Sequence, residues 1–163
     1  GAAQAAALLY AWRNAVHAAS SYPAGALSDR WGRRGLLALG FVLGGLTAVG
    51  FAVALPLRAG GLPLLVLLFT ASGVSVTLVD ALEGALTADV VPDESVRGLA
   101  YGVLGTVNGV GDFVSSALVG LLWSVNPALG FGYAALAMLL GAAFLRGLRL
   151  RIPAIQPGPN SVH

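Results

Sequence analysis

Seven side chains able to ionise or to form strong hydrogen bonds lie inside long apolar runs: Arg13, Asn14 and His17, then Asp80 and Glu83, then Asn108 and Asp112. Such groups are costly in hydrocarbon, so they face one another or a water-filled cavity, and they mark ion and solute pathways. Their spacing is helical. Arg13 and His17 share a face at i,i+4, as do Asn108 and Asp112, and Asp80 is one turn from Glu83. Carboxyl and imidazole groups are also the side chains that load and release protons, so Asp80 or Glu83 is expected to be proton-responsive. Other chemistry finds no support. Ser115 and Ser116 lack a Gly-x-Ser-x-Gly setting, His17 and His163 are too far apart to pair as metal ligands, and no glycine-rich phosphate loop ends in Lys-Ser or Lys-Thr. With no cysteine, thiol catalysis and cysteine-bound metal are excluded. Neither enzyme activity, cofactor nor metal is expected.

The elements that must position these groups follow from composition. Only 10% of the 163 residues are charged and 57% are hydrophobic, against about 25% charged in a soluble domain. Mean hydropathy is +0.83. The chain reads as an all-α integral membrane protein, its 23 glycines suited to close helix packing in lipid. A span needs about 20 apolar residues, and five are expected, at about 2–27, 35–55, 62–91, 98–125 and 128–148, with a cytoplasmic tail over 149–163. Breakers separate them: Pro56, Gly60-Gly61-Leu62-Pro63, Pro92-Asp93-Glu94 and Asn126-Pro127. Pro23 is expected to bend the first span. Tyr10, Trp12, Trp123 and Tyr133 near span ends suit interfacial anchors. Gly40 with Gly44, and Gly98 with Gly102, have the GxxxG spacing of packed helices.

Arginine distribution sets orientation. Arg30, Arg33, Arg34, Arg97, Arg146, Arg149 and Arg151 fall on one side and Arg58 on the other. Positive charge is retained in the cytoplasm. The amino end is therefore expected outside and the carboxy end inside, in a bacterial inner membrane. The net charge of +2 serves orientation and implies no nucleic-acid partner. No cleavable signal precedes the first span, and an outside amino end with an abrupt start at Gly1 suggests a truncated chain. At 1.5 Å per residue, His17, Asp80 and Asn108 lie about 15–17 Å from the cytoplasmic ends, and Arg13 and Asp112 both about 21 Å. Equal depth permits an Arg13–Asp112 pair, either as a structural tie or as a substrate contact. His17 reads as a packing histidine or a proton relay. Asp89, nearer the cytoplasm, is given no transport role.

Between the first two spans runs Gly25 to Arg34, GALSDRWGRR. This stretch resembles the loop signature of the major facilitator superfamily of secondary transporters, matching at Gly25, Leu27, Asp29, Arg30, Gly32, Arg33 and Arg34. In that family two six-helix halves rock around a midplane site. The resemblance implies that the five spans are helices eight to twelve, in the carboxy-terminal half, with the eighth, tenth and eleventh bordering the pathway. Asp29 would then accept hydrogen bonds at a helix start of the other half, and Arg30 and Arg34 would join a charge network. Gly25 and Gly32 would permit close backbone approach, or serve as ordinary turn glycines. The implied activity is movement of a small solute by alternating access, coupled to protons, with export of a drug-like compound or metabolite favoured. Uptake of a small solute, or a non-transporting membrane scaffold, are the alternatives. The implied partners are membrane lipid, a small-molecule substrate, protons and the missing amino-terminal half.

Overall fold

The computed structural model describes residues 1–57, 61–91 and 93–147. Five helices follow in order: α1 Ala2–Trp31, α2 Arg33–Leu57, α3 Leu62–Val90, α4 Glu94–Val125 and α5 Pro127–Gly147. The expected tail over 149–163, with Arg149, Arg151 and His163, and the outward Arg58 lie outside the described residues.

Four of the helices, α2 to α5, are long and apolar enough to cross a membrane. The first, α1, falls outside that set. Gln4, Arg13, Asn14, His17, Ser20 and Ser21 dilute its apolar character, and those groups look for partners beyond lipid. The helices also run further than the apolar stretches. Most of the expected signature loop is helical: α1 continues through Ser28, Asp29 and Arg30, and the only residue between α1 and α2 is Gly32. Its φ of +86° is the reason for glycine there, because a side chain at positive φ meets its own backbone. Gly25, by contrast, is a helix residue. A Cβ at either glycine would meet nothing within 4 Å, so the expected close backbone approach is not made among the described residues.

Small residues decide how the helices meet. On α2, a Cβ at Gly40 would lie 2.8 Å from Leu78 Cβ on α3, and one at Gly44 would lie 2.5 Å from both Ser75 Oγ on α3 and Met138 Sδ on α5. The first GxxxG pair thus seats α2 between α3 and α5. The second, Gly98 and Gly102 on α4, faces open space. Ala24, Leu36, Leu37, Leu78 and Leu82 form the buried core where α1, α2 and α3 converge. Phe51 stacks on Phe131 at 5.1 Å and meets Phe69 edge-on at 5.5 Å, closing the other end. The outlier is α4. It rests on α5, where Trp123 meets Phe131 edge-on, touches α3 at a few points and has no buried residue.

Candidate functional site

Trp12, Arg13 and His17 of α1 pair one after another with α3. Trp12 Nε1 donates to Thr70 Oγ1 at 2.8 Å, and Arg13 Nε donates to Ser72 Oγ at 3.1 Å. Thr77 Oγ1 is 3.0 Å from the His17 carbonyl oxygen. His17 Nε2 lies 3.6 Å from Asp80 Oδ2, an approach that becomes an ion pair when the imidazole is protonated. Residue numbers rise together along both helices, so α1 and α3 run parallel. A polar seam results, each group satisfied by the neighbouring helix in place of water.

Asp80 also belongs to a second surface. With Glu83 on α3 and Asn108, Gly111 and Asp112 on α4, it lines a cleft of about 400 Å³, walled by Val79 and Val107. Asn108 Nδ2 donates to Glu83 Oε2 at 3.1 Å across it. The Asp80 side chain is 62% exposed and that of His17 35%, so the pair is not sealed in the core, and Asp80 opens onto the cleft. Of the residues expected to form a pathway, His17, Asp80, Glu83, Asn108 and Asp112 come together around Asp80.

Arg13 does not pair with Asp112. Its guanidinium is taken by Ser72, and α1 and α4 make no contact among the described residues. Equal depth says nothing of lateral distance. Trp12, expected as an interfacial anchor, stays half exposed while its indole N–H bonds across to α3.

At the α1–α2 turn the signature residues divide their work. Arg33, first residue of α2, donates to Asp89 Oδ1 at 2.7 Å and to the Ala85 carbonyl at 3.0 Å, and its other amine is 3.7 Å from Asp29 Oδ1. Among the described residues the ion pairs of this turn run through Arg33. Asp89, given no role from sequence, is its main partner. The missed signal was position: Asp89 closes α3 as Arg33 opens α2, and tightly joined antiparallel helices bring those ends together. Arg34 instead donates through Nε and Nη2 to the Leu145 carbonyl near the end of α5, where a cation suits the negative pole of the helix. Arg30 has no partner among the described residues. These groups border a cavity of about 390 Å³ lined by Ser28, Asp29, Gly32, Arg33, Arg34 and Asp89.

Compared with known proteins, the chain matches the Major Facilitator Superfamily over residues 1–162. The chain belongs to the major facilitator superfamily. It is similar to an uncharacterized MFS-type transporter of Methanocaldococcus jannaschii, 30% identical over 137 residues, which cover 84% of this chain and 33% of that protein. The chain thus spans about a third of the length of the curated relative it matches. No solved structure matches. Family membership and the apolar helices make this a multi-pass membrane protein, with its outer helix faces in contact with lipid. Among the described residues no group of three or more His, Asp or Glu side chains is arranged to hold a metal ion.

Proposed function

We propose that these helices are the eighth to twelfth of a twelve-helix major facilitator transporter, forming the carboxy-terminal half short of its first helix. The transporter moves a small solute across a bacterial inner membrane by alternating access, coupled to protons. The observation that carries the reading is the position of Asp80, which touches His17 across the α1–α3 seam and lines the α3–α4 cleft. A proton exchanged at the His17–Asp80 pair changes charge on the wall of the space a solute would enter. Glu83, Asn108 and Asp112 supply the remaining polar contacts, and the valine walls suit an organic compound with apolar surface. Export of a drug-like compound or metabolite is the preferred direction. Arg33 with Asp29 and Asp89 would brace the cytoplasmic ends of α1, α2 and α3, and the amino-terminal half supplies the opposite wall. The amino end lies outside and the carboxy end in the cytoplasm, a reading the arginine distribution supports.

The test is flux through the transporter assembled with its amino-terminal half in proteoliposomes, with ethidium as the transported probe and an imposed pH gradient as the driving force. Gradient-driven movement is expected in the parent and its loss in Asp80→Asn. Asp80→Asn with full proton dependence would remove Asp80 from the role assigned here.

A further inference from the structure

The side chain most completely withdrawn from solvent in the α1–α3 seam is a hydroxyl group, Thr77, at 0% exposure. Its Oγ1 lies 3.0 Å from the His17 carbonyl on α1 and 2.9 Å from the Gly73 carbonyl on its own helix. A threonine hydroxyl has a single proton to donate. Either acceptor can take it, and neither choice leaves a buried donor unpaired. On the other side, the His17 carbonyl also receives the Ser21 hydroxyl at 2.9 Å. It too keeps a partner if Thr77 turns away.

The approach that makes this possible depends on Gly73. A Cβ there would lie 2.8 Å from the Arg13 carbonyl oxygen and 3.0 Å from Val16 Cγ1, so any larger residue would hold α1 away from α3. Thr77 and Asp80 are one turn apart on α3, and His17 presents its carbonyl to the first and its imidazole to the second.

We propose that Thr77 is a positioning residue for the His17–Asp80 pair, acting as a clamp with two settings. With its proton on the His17 carbonyl, α1 is held and the imidazole faces Asp80. With its proton on Gly73, the tie at His17 is released without stranding a buried donor, and α1 stays joined to α3 through Trp12–Thr70 and Arg13–Ser72. The opposite seam of α3 lacks this freedom. Ser75, 1% exposed, donates to the Gly40 carbonyl on α2 at 2.9 Å, and no second acceptor is recorded for it among the described residues. Separating α2 from α3 would break that bond and the close packing at Gly40 and Gly44. Pro23 adds the joint. Having no N–H, it leaves the Ala19 carbonyl without its helical partner and lets α1 bend one to two turns beyond His17. Movement therefore belongs to α1, with α2, α3 and α5 travelling together.

The proposal rests on the transport reading for its role, and its test separates the two. The chain has no cysteine, so nitroxide labels on cysteines replacing Ala18 and Leu67, in lipid nanodiscs, report the α1–α3 distance alone. Thr77→Val, which keeps shape and removes the proton, is expected to broaden that distance and lengthen it by about 1–2 Å, the scale of helix slides. Thr77→Ser is expected to match the parent. An unchanged distribution in Thr77→Val overturns the clamp; if that variant does not fold, Thr77→Ala decides in the same way. The second arm is the pH profile of ethidium flux in the assembled transporter, where Arg13, Glu83 and Asp112 are the other ionisable groups around the pair. Thr77→Val is expected to shift the profile and Thr77→Ser to restore it. A uniform loss at every pH marks packing alone and overturns the positioning role. Asp80→Asn with an unaltered profile would sink the proton reading, and the label distances would then decide the clamp by themselves.

Discussion

His17 and Asp80 illustrate what a single side chain can and cannot reveal before its neighbours are known. Both stood out as ionisable groups in apolar helices, and depth alone placed them at one height. Their approach to 3.6 Å depends on something less visible, the glycine and hydroxyl residues of α3 that draw α1 inward. Arg13 was legible as a membrane arginine needing a partner, but that partner is Ser72, a residue with no charge to advertise it. Ser72→Ala is therefore expected to cost roughly 1–2 kcal/mol, as a hydrogen bond to a charged group is lost, measured by thermal denaturation in detergent. The Arg33–Asp89 pair is expected to matter less to stability. Its side chains are 32% and 37% exposed, so solvent screening holds the loss in Arg33→Gln to under about 1 kcal/mol by the same assay.

At the scale of the helix, glycines with identical spacing have opposite surroundings. Gly44 is wedged against Ser75 and Met138, while Gly98 meets nothing within 4 Å. Gly44→Val is expected to destabilise by about 1–3 kcal/mol through overpacking. Gly98→Ala is expected to be neutral or to stabilise by about 0.5–1 kcal/mol through lower chain entropy. Parallel thermal melts check both. The start of α4 carries its own acid dependence. The Asp93 carboxylate accepts from the Ser95 hydroxyl at 2.7 Å and from its backbone N–H at 2.9 Å, which lowers its pKa below the ordinary 3.8. A depressed carboxylate pKa contributes stability above the unfolded value and loses it as pH falls through the folded one. Loosening of the α4 start below about pH 3.8 is expected, and its absence in Asp93→Asn, followed by amide exchange at Ser95. Helix number and the turn positions were legible because proline, glycine and asparagine punctuate the apolar runs. The extent of α1 was not. Ser28 to Trp31 carry turn-like polarity, yet Gly32 alone supplies the reversal, so the helix continues to its edge.

Across the whole molecule, α2 is gripped by α3 and α5, α1 lies along α3 through a polar seam, and α4 leans on α5 with its Asn108 and Asp112 turned to the cleft. Fold class and family could be read from composition and GALSDRWGRR, since hydropathy sets how many helices cross and the signature depends on residue type. Lateral order was beyond reach: the pairing of Arg13 with Asp112 failed because depth is one-dimensional, and α1 and α4 make no contact among the described residues. The same arrangement concentrates the polar groups around Asp80 and gives the account its central claim, that His17, Asp80 and Asp112 open to water inside the membrane. Single cysteines at these three positions, tested with a membrane-impermeant maleimide in the assembled transporter, address it most directly. The account predicts labelling at all three, gained or lost together as the transporter changes its facing side. Cysteines inert from both sides in every state would contradict it.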